Sequence, residues 1–98
     1  MQVEDHVKVG SGAFLSYSTL PTDWRNQMMT TLGELTTCPP DEWPRDKVRK
    51  LKADESLYLL IANEELRVAF RRAKDGEITI LDIFLQEVLD RYFSSNKS

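Results

Sequence analysis

Two patterns of apolar and polar residues divide the chain. In its first third, apolar residues recur at the three- and four-residue spacing of a helix, and one continuous stripe predicts a helix from about Thr22 to Thr36. The residues of that stripe are Trp24, Met28, Leu32 and Leu35. A shorter helix that begins near Ala13 precedes Pro21, so we expect the two helices to form a hairpin over residues 13–36.

In the second half the pattern becomes that of strands joined by tight turns. Ser56–Ala62 is the most apolar run and is predicted to be the central strand of a sheet. Leu66–Phe70 alternates apolar and polar residues, as a half-buried strand does, and Glu77–Leu85 is the last strand. Asn63–Glu65 and Asp75-Gly76 supply the turns. We therefore expect a meander of three antiparallel strands packed under the helical hairpin. The residues expected to be buried are Trp24, Met28, Leu32, Val68, Ile80 and either Tyr58 or Leu59.

Weaker signals flank these elements. Valines at positions 3, 7 and 9 predict a short first strand, which we expect to join the sheet beside the last strands. Prolines make Cys38–Arg45 a non-helical connection, and the basic segment Arg45–Lys52 is either one helical turn or a loop. Helical spacing from Leu85 to Tyr92 predicts a short C-terminal helix, followed by a disordered tail at residues 94–98. The predicted fold class is α+β, with an N-terminal strand and helical hairpin packed on an antiparallel sheet.

Length and composition limit the classes of protein that fit. The 98 residues suffice for a single domain, residues 1–98, with one core. No run approaches the roughly 20 apolar residues that cross a bilayer, and the first residues are too polar for a secretory signal. We therefore expect a cytoplasmic protein. Cys38 is the only cysteine and His6 the only histidine, which excludes an internal disulfide and a Cys/His zinc site within one chain.

Charge is unevenly distributed along the chain. The formal net charge is −3, yet Arg45–Lys74 contains nine basic and five acidic residues, against four basic and eleven acidic residues elsewhere. A basic middle of this kind is either a phosphate-binding face or a solvated surface without a partner, and charge alone leaves both interpretations open.

Four segments resemble, in order, the RelE/ParE superfamily of toxins. Residues 14–35 (FLSYSTLPTDWRNQMMTTLGEL) are similar to the paired helices of RelE proteins. Residues 50–58 (KLKADESLY) resemble the basic stretch and opening tyrosine of the central strand, and residues 66–70 (LRVAF) the strand that carries an arginine at its second position. Residues 75–84 (DGEITILDIF) resemble the last strand. Over about residues 14–93, the ordered set is similar to the RelE-like branch of type II toxin–antitoxin systems.

The resemblance implies a toxin that cleaves mRNA on the ribosome, without a metal or cofactor, and that is neutralised by a cognate antitoxin. Attack of a 2′-hydroxyl on the adjacent phosphate needs a proton acceptor, a stabilising cation and a proton donor. By the family pattern, the candidate catalytic residues are Arg67, Tyr92 and Glu55. Tyr92 is equally well placed for the core of the last helix, and Arg67 for a solvent-exposed sheet face. Because Arg67 faces away from the apolar side of its strand, its loss is expected to leave the fold intact.

The resemblance also implies RNA contacts for a second group of basic residues. These are Lys47, Arg49, Lys50, Lys52 and Arg71. Arg71 lies four residues after Arg67 on the same strand face, about 13 Å away, which suits contact with successive phosphates.

Three positions depart from the family pattern. Leu59 and Ile61 stand where the best-known members carry lysines, and Gln86 or Glu87 stands where an arginine is expected after the last strand. Leucine and isoleucine neither donate nor accept protons. The alternative to mRNA cleavage is therefore a non-catalytic, protein-binding member of the same fold, such as a ParE-like gyrase inhibitor or a degenerate toxin. A third interpretation is an unrelated α+β module with a protein partner.

Overall fold

A computed structural model of the protein describes residues 2–4, 6–51 and 56–87, with side chains from residue 6 onward within these ranges. The chain begins with strands β1 (Gln2–Glu4) and β2 (Val7–Val9), followed by helices α1 (Phe14–Thr19) and α2 (Thr22–Thr36). It continues with strands β3 (Val48–Lys50), β4 (Leu57–Ile61), β5 (Leu66–Arg72) and β6 (Ile78–Leu85). Residues 86 and 87 are helical, where the last described range ends. The rest of the predicted C-terminal helix and the tail at 94–98 lie outside the described residues.

The described strands form one six-stranded sheet in the order β1-β2-β6-β5-β4-β3. The strands β4, β5 and β6 pair as an antiparallel meander, as predicted, and β2 joins β6 in parallel. The prediction that Ser56–Ala62 is the central strand is wrong, because β5 and β6 occupy the middle and β4 lies second from the edge. The apolar character of β4 on both faces has a different cause, which the candidate site below explains.

Three local predictions are corrected by the backbone. The valines at positions 3 and 7 belong to two antiparallel strands rather than one, because the chain reverses at His6, whose φ is 71°. The segment Arg45–Lys52, predicted as one helical turn or a loop, forms a turn at residues 45–47 and then β3, and buried Val48 anchors that strand beside β4. The connection Cys38–Arg45 contains one short 3₁₀ turn, Pro40–Glu42.

Helices α1 and α2 cover one face of the sheet and enclose the core with it. The predicted burial of Met28, Leu32, Val68 and Ile80 is confirmed, whereas Trp24 is only half-buried. Tyr58 and Leu59, one of which was expected to be buried, are both half-buried, and Leu60 between them is the fully buried residue of β4. The buried apolar residues are Val7, Val9, Ala13, Met28, Met29, Leu32, Leu35, Trp43, Val48, Leu60, Leu66, Val68, Phe70, Ile78, Ile80 and Ile83.

Two glycines are needed at close approaches of the backbone. The amide of Gly10 donates to the carbonyl oxygen of Ile80 at 2.8 Å, and a Cβ on Gly10 would lie 2.8 Å from the same oxygen. This contact fixes the start of the connection from β2 to α1 against β6. Gly76 has a φ of +95°, so the Asp75-Gly76 turn between β5 and β6 adopts a conformation that glycine favours.

Candidate functional site

The two faces of the sheet differ because side chains alternate along each strand. In β5, Leu66, Val68 and Phe70 point toward the helices and are buried, as predicted. Arg67 and Arg71 therefore point to the opposite face, and their cross-strand neighbours point the same way. Neither described helix packs on this second face, because both contribute to the core on the other side.

We call this second surface the open face. It is formed by Arg49 of β3, Leu57, Leu59 and Ile61 of β4, Arg67, Ala69 and Arg71 of β5, and Thr79, Asp82 and Phe84 of β6. Leu57, Leu59 and Ile61 are half-buried and follow one another along β4, so they form an apolar strip that still reaches solvent. Phe84, also half-buried, lies beyond Arg67 on β6. This explains why β4 is apolar on both faces. The side chains on its inward face pack in or against the core, and those on its outward face form the apolar strip.

Arg67 occupies the middle of the open face but is held by its own hairpin. It pairs directly with Ile61 on one side and Phe84 on the other. Its Nη1 donates to the carbonyl oxygens of Asn63 at 2.7 Å and Leu66 at 3.1 Å. The guanidinium is therefore partly used to close the β4–β5 turn.

Arg49 and Arg71 lie on either side of the apolar strip. Arg49 pairs with Leu59, and Arg71 pairs with Leu57 and Thr79. Both arginines are exposed, and among the described residues no carboxylate forms an ion pair with either of them. Lys8, at the β2 end of the same face, differs because its Nζ contacts the Oε1 of Glu77 at 3.0 Å.

The structure brings together only part of the predicted site. Arg67 and Arg71 share the open face with Arg49, while Lys50, next to Arg49 along β3, points to the helix-covered side. Lys47 is exposed just before β3. Glu55, Tyr92 and Lys52 lie outside the described residues. Two of the three departures, Leu59 and Ile61, lie on the open face near Arg67, and the side chains that pair directly with this arginine, Ile61 and Phe84, are hydrocarbon.

Sequence reasoning missed an aromatic cluster at the β3 edge. Trp43 is 6% exposed, and its ring centroid lies 4.9 Å from that of Tyr58 and 5.8 Å from that of Phe70. Its Nε1 donates to the carbonyl oxygens of Leu35 and Cys38, both at 3.1 Å. The sequence did contain a signal, because Trp43 stands in a proline-rich connection. Tryptophan is highly buried on average, so a tryptophan in such a connection indicates that the loop packs against the core.

Neither a metal cluster nor a membrane span is found in the described part of the chain. Across residues 2–4, 6–51 and 56–87, no group of three or more His, Cys, Asp or Glu side chains is close enough to share an ion. In the same ranges, no helix has the length and apolarity that crossing a bilayer requires.

Comparison with known proteins supports the fold. No family model matches the sequence, and no curated protein matches it. Among solved structures, the chain is similar to one from the archaeal RelE-RelB complex of Pyrococcus horikoshii OT3, with a TM-score of 0.60 and 23% sequence identity. The similarity covers 81% of this chain and 91% of that one. The protein therefore has the fold of RelE-like toxins.

Proposed function

We propose that the protein is the toxin of a toxin–antitoxin pair and that its open face binds the antitoxin. The observation that carries the proposal is the apolar strip of Leu57, Leu59 and Ile61 on β4, which reaches solvent between Arg49 of β3 and the arginines of β5. The structurally similar chain comes from a complex of RelE with RelB, which supports a protein partner of this kind.

The chemistry of the open face specifies the partner. An apolar strip of this kind, rimmed by charge, is typical of a surface that binds a protein segment. The exposed guanidinium groups of Arg49 and Arg71 favour carboxylates at the margins of that segment. The antitoxin segment is accordingly amphipathic and acidic, with its apolar side against Leu59 and Ile61, and it orders as it binds.

The described side chains favour a toxin that acts by binding a protein target, as a non-catalytic member of this fold. Proton transfer to and from RNA needs titratable groups within hydrogen-bonding reach of the phosphate. The residues that pair with Arg67 on the open face are Ile61 and Phe84, and neither can exchange a proton. The carboxylate of Asp82 lies one pair further along, across from Ala69, and its Oδ1 accepts from the amide of Ile83 at 2.9 Å. Arg67 itself already donates to two backbone carbonyls.

Ribosome-dependent mRNA cleavage is the second candidate, and one observation favours it. Arg67 and Arg71 lie on the same open face, on one rigid strand, and so present two cations to successive phosphates. In that mechanism Arg67 stabilises the crowded phosphate, and Glu55 and Tyr92 exchange the protons. Lys47, Arg49, Lys50 and Lys52 add contacts to RNA phosphates. Neither proposed mechanism uses a metal or a cofactor. Both require the protein to act in the cytoplasm, where the proposed targets are.

Induced expression in a bacterial host, followed by mapping of mRNA ends on translating ribosomes, separates the candidates. The proposal predicts slowed growth, rescue by the product of a small adjacent open reading frame, and no new cuts at the ribosomal A site. Cuts that disappear with Arg67→Ala, by a factor on the order of 10²–10³ in rate, would establish the second candidate. Unchanged growth would refute the toxin proposal itself.

A further inference from the structure

A cavity at the β3 edge lies on the side of the sheet opposite the open face. Its volume is about 360 Å³, and it is lined by Pro40, Asp41, Trp43, Arg45, Val48, Lys50 and Tyr58. Tyr58 pairs with Phe70, which faces the core, so Tyr58 and the cavity belong to the helix-covered side. The open face and this cavity therefore share no side chain.

The cavity combines an aromatic wall with two cations. The ring of Tyr58 stacks on that of Phe70, with 5.6 Å between centroids and 22° between planes, and Trp43 meets Tyr58 nearly edge-on, with 72° between planes. Lys50 lies directly across from Tyr58 in the β3–β4 pair, so its side chain emerges beside that ring. Arg45 and Lys50 are exposed, and no described carboxylate forms an ion pair with either.

The aromatic wall is fixed before any ligand arrives. The two hydrogen bonds from Trp43 Nε1 to Leu35 and Cys38 attach the indole to the end of α2. The amides of Lys47 and Val48 both donate to the carbonyl oxygen of Pro44, at 3.1 Å and 2.9 Å, which holds Arg45 in a tight turn at the rim. A preformed site of this kind loses little conformational entropy when a ligand binds.

We propose that this cavity binds a nucleoside phosphate, with the base against the half-buried ring of Tyr58, which buried Trp43 supports edge-on, and the phosphate between Arg45 and Lys50. The volume lies near the lower end of small-molecule pockets, which suits a single nucleotide and is too small for a peptide helix. Aromatic side chains bind bases of any sequence by stacking, and cations at the rim bind the phosphate. The carboxylate of Asp41 accepts hydrogen bonds from an amino group of the base or a hydroxyl of the sugar.

The same chemistry fits a free nucleotide and one nucleotide of single-stranded RNA. The inference goes beyond the proposed function and does not rest on it, because the antitoxin surface lies on the other side of the sheet. Loss of nucleotide binding would leave the open face unaffected, and loss of antitoxin binding would leave the cavity unaffected.

Titration of the full chain, followed by NMR of the tryptophan indole N–H groups, tests the proposal. The probes are adenosine and uridine monophosphate, inorganic phosphate, a short single-stranded RNA and an acidic peptide of matched charge. The Trp24→Phe variant assigns the two indole signals. We expect both monophosphates to shift the Trp43 signal and leave that of Trp24 in place, and inorganic phosphate alone to bind more weakly by about tenfold or more.

Two double variants that remove the same charge provide the matched comparison. Arg45→Ala with Lys50→Ala removes the cations that line the cavity, and Lys8→Ala with Lys74→Ala removes two exposed cations that do not line it. The first is expected to weaken nucleotide binding by about tenfold or more, and the second by less than about twofold. Both pairs consist of exposed residues, so unchanged unfolding midpoints in urea are expected for each.

Each outcome supports or overturns the proposal. Tighter binding of RNA than of the monophosphates, with the same Trp43 shift, identifies the ligand as a nucleotide within RNA, and equal binding identifies it as a free nucleotide. Equal effects of the two double variants would overturn the proposal, as would inorganic phosphate binding as tightly as the nucleotides. A Trp43 shift with the acidic peptide and none with nucleotides would assign the cavity to a protein partner instead.

Discussion

The guanidinium of Arg67 is hydrogen-bonded to the backbone of Asn63, through an Nη1 to carbonyl oxygen distance of 2.7 Å. The Oδ1 of Asn63 in turn accepts from the amides of Glu65 and Leu66, both at 2.8 Å. Side chain and backbone thus close the β4–β5 turn together. The arginine on which the family resemblance places catalysis also has a structural role in its own hairpin.

This hydrogen bonding predicts a stability cost for Arg67→Ala, against the expectation from the sequence that the fold is unaffected. Removal of a charged donor from partly buried carbonyls costs about 1–3 kcal/mol. Urea unfolding of Arg67→Ala should show a loss in this range. Arg71→Ala is the control, because Arg71 is an exposed arginine on the same strand face, and its change should stay within about 0.5 kcal/mol. Equal effects of the two substitutions would show that the bonds to Asn63 and Leu66 contribute nothing.

Two glycine substitutions should change stability in opposite directions. A Cβ at Gly10 would lie 2.8 Å from the carbonyl oxygen of Ile80, whereas one at Gly33 meets no atom within 4 Å. Gly10→Ala should therefore destabilise by about 1–3 kcal/mol, since backbone must move to relieve the overlap. Gly33→Ala, within α2, should stabilise by about 0.5–1 kcal/mol through helix propensity. Thermal unfolding measures both, and a neutral Gly10→Ala would contradict the close approach of β2 to β6.

The two tryptophans should respond differently to substitution by phenylalanine. Trp43 is buried and its Nε1 has two carbonyl acceptors, whereas Trp24 is half-buried on α2. Trp43→Phe leaves the carbonyls of Leu35 and Cys38 without this donor, and we expect a loss of about 1–3 kcal/mol in the free energy of unfolding. Trp24→Phe should cost less than about 1.5 kcal/mol, as a conservative apolar exchange does. A larger loss at Trp24 would contradict the anchoring role of Trp43.

Much of the fold follows from local patterns in the sequence. The stripe in α2 and the alternation in β5 depend on the fixed periods of helix and strand, which the packed structure preserves. The turns at Asn63–Glu65 and Gly76 follow from residues that suit those backbone conformations. These elements could be predicted because each is determined by residues near one another in the chain.

The errors come from pairings between distant segments. Strand β3 has only three residues, and its formation depends on β4 ten residues later, so the local pattern gave no indication of a strand. The apolarity of β4 suggested a central position, but it reflects a strip that reaches solvent on the open face. Burial of Trp43 depends on the end of α2 and on Tyr58 together, and no local periodicity encodes that contact.

The candidate site was predictable in part. Arg67 and Arg71 share one strand, so their common face follows from the alternation of β5. Arg49 joins them and Lys50 does not, because adjacent residues of β3 point to opposite faces. The sequence grouped these two cations as one basic segment, and only the pairing of β3 with β4 separates them.

The most direct test of the central claim is the affinity of the protein for the product of a small adjacent open reading frame, the antitoxin that we propose. It is measured by calorimetry for Leu59→Asp and Leu15→Asp. Leu59 lies in the middle of the apolar strip on the open face, and Leu15 is 76% exposed on α1, on the other side of the sheet. Leu59→Thr removes the apolar side chain but keeps a residue that favours strands, so it tests the same surface if the aspartate variant fails to fold. The account predicts that Leu59→Asp weakens binding by about 2 kcal/mol or more, Leu59→Thr less so, and Leu15→Asp by less than about 0.5 kcal/mol. Unchanged affinity in folded Leu59→Asp, or an equal loss in Leu15→Asp, would contradict the assignment of the open face as the binding surface.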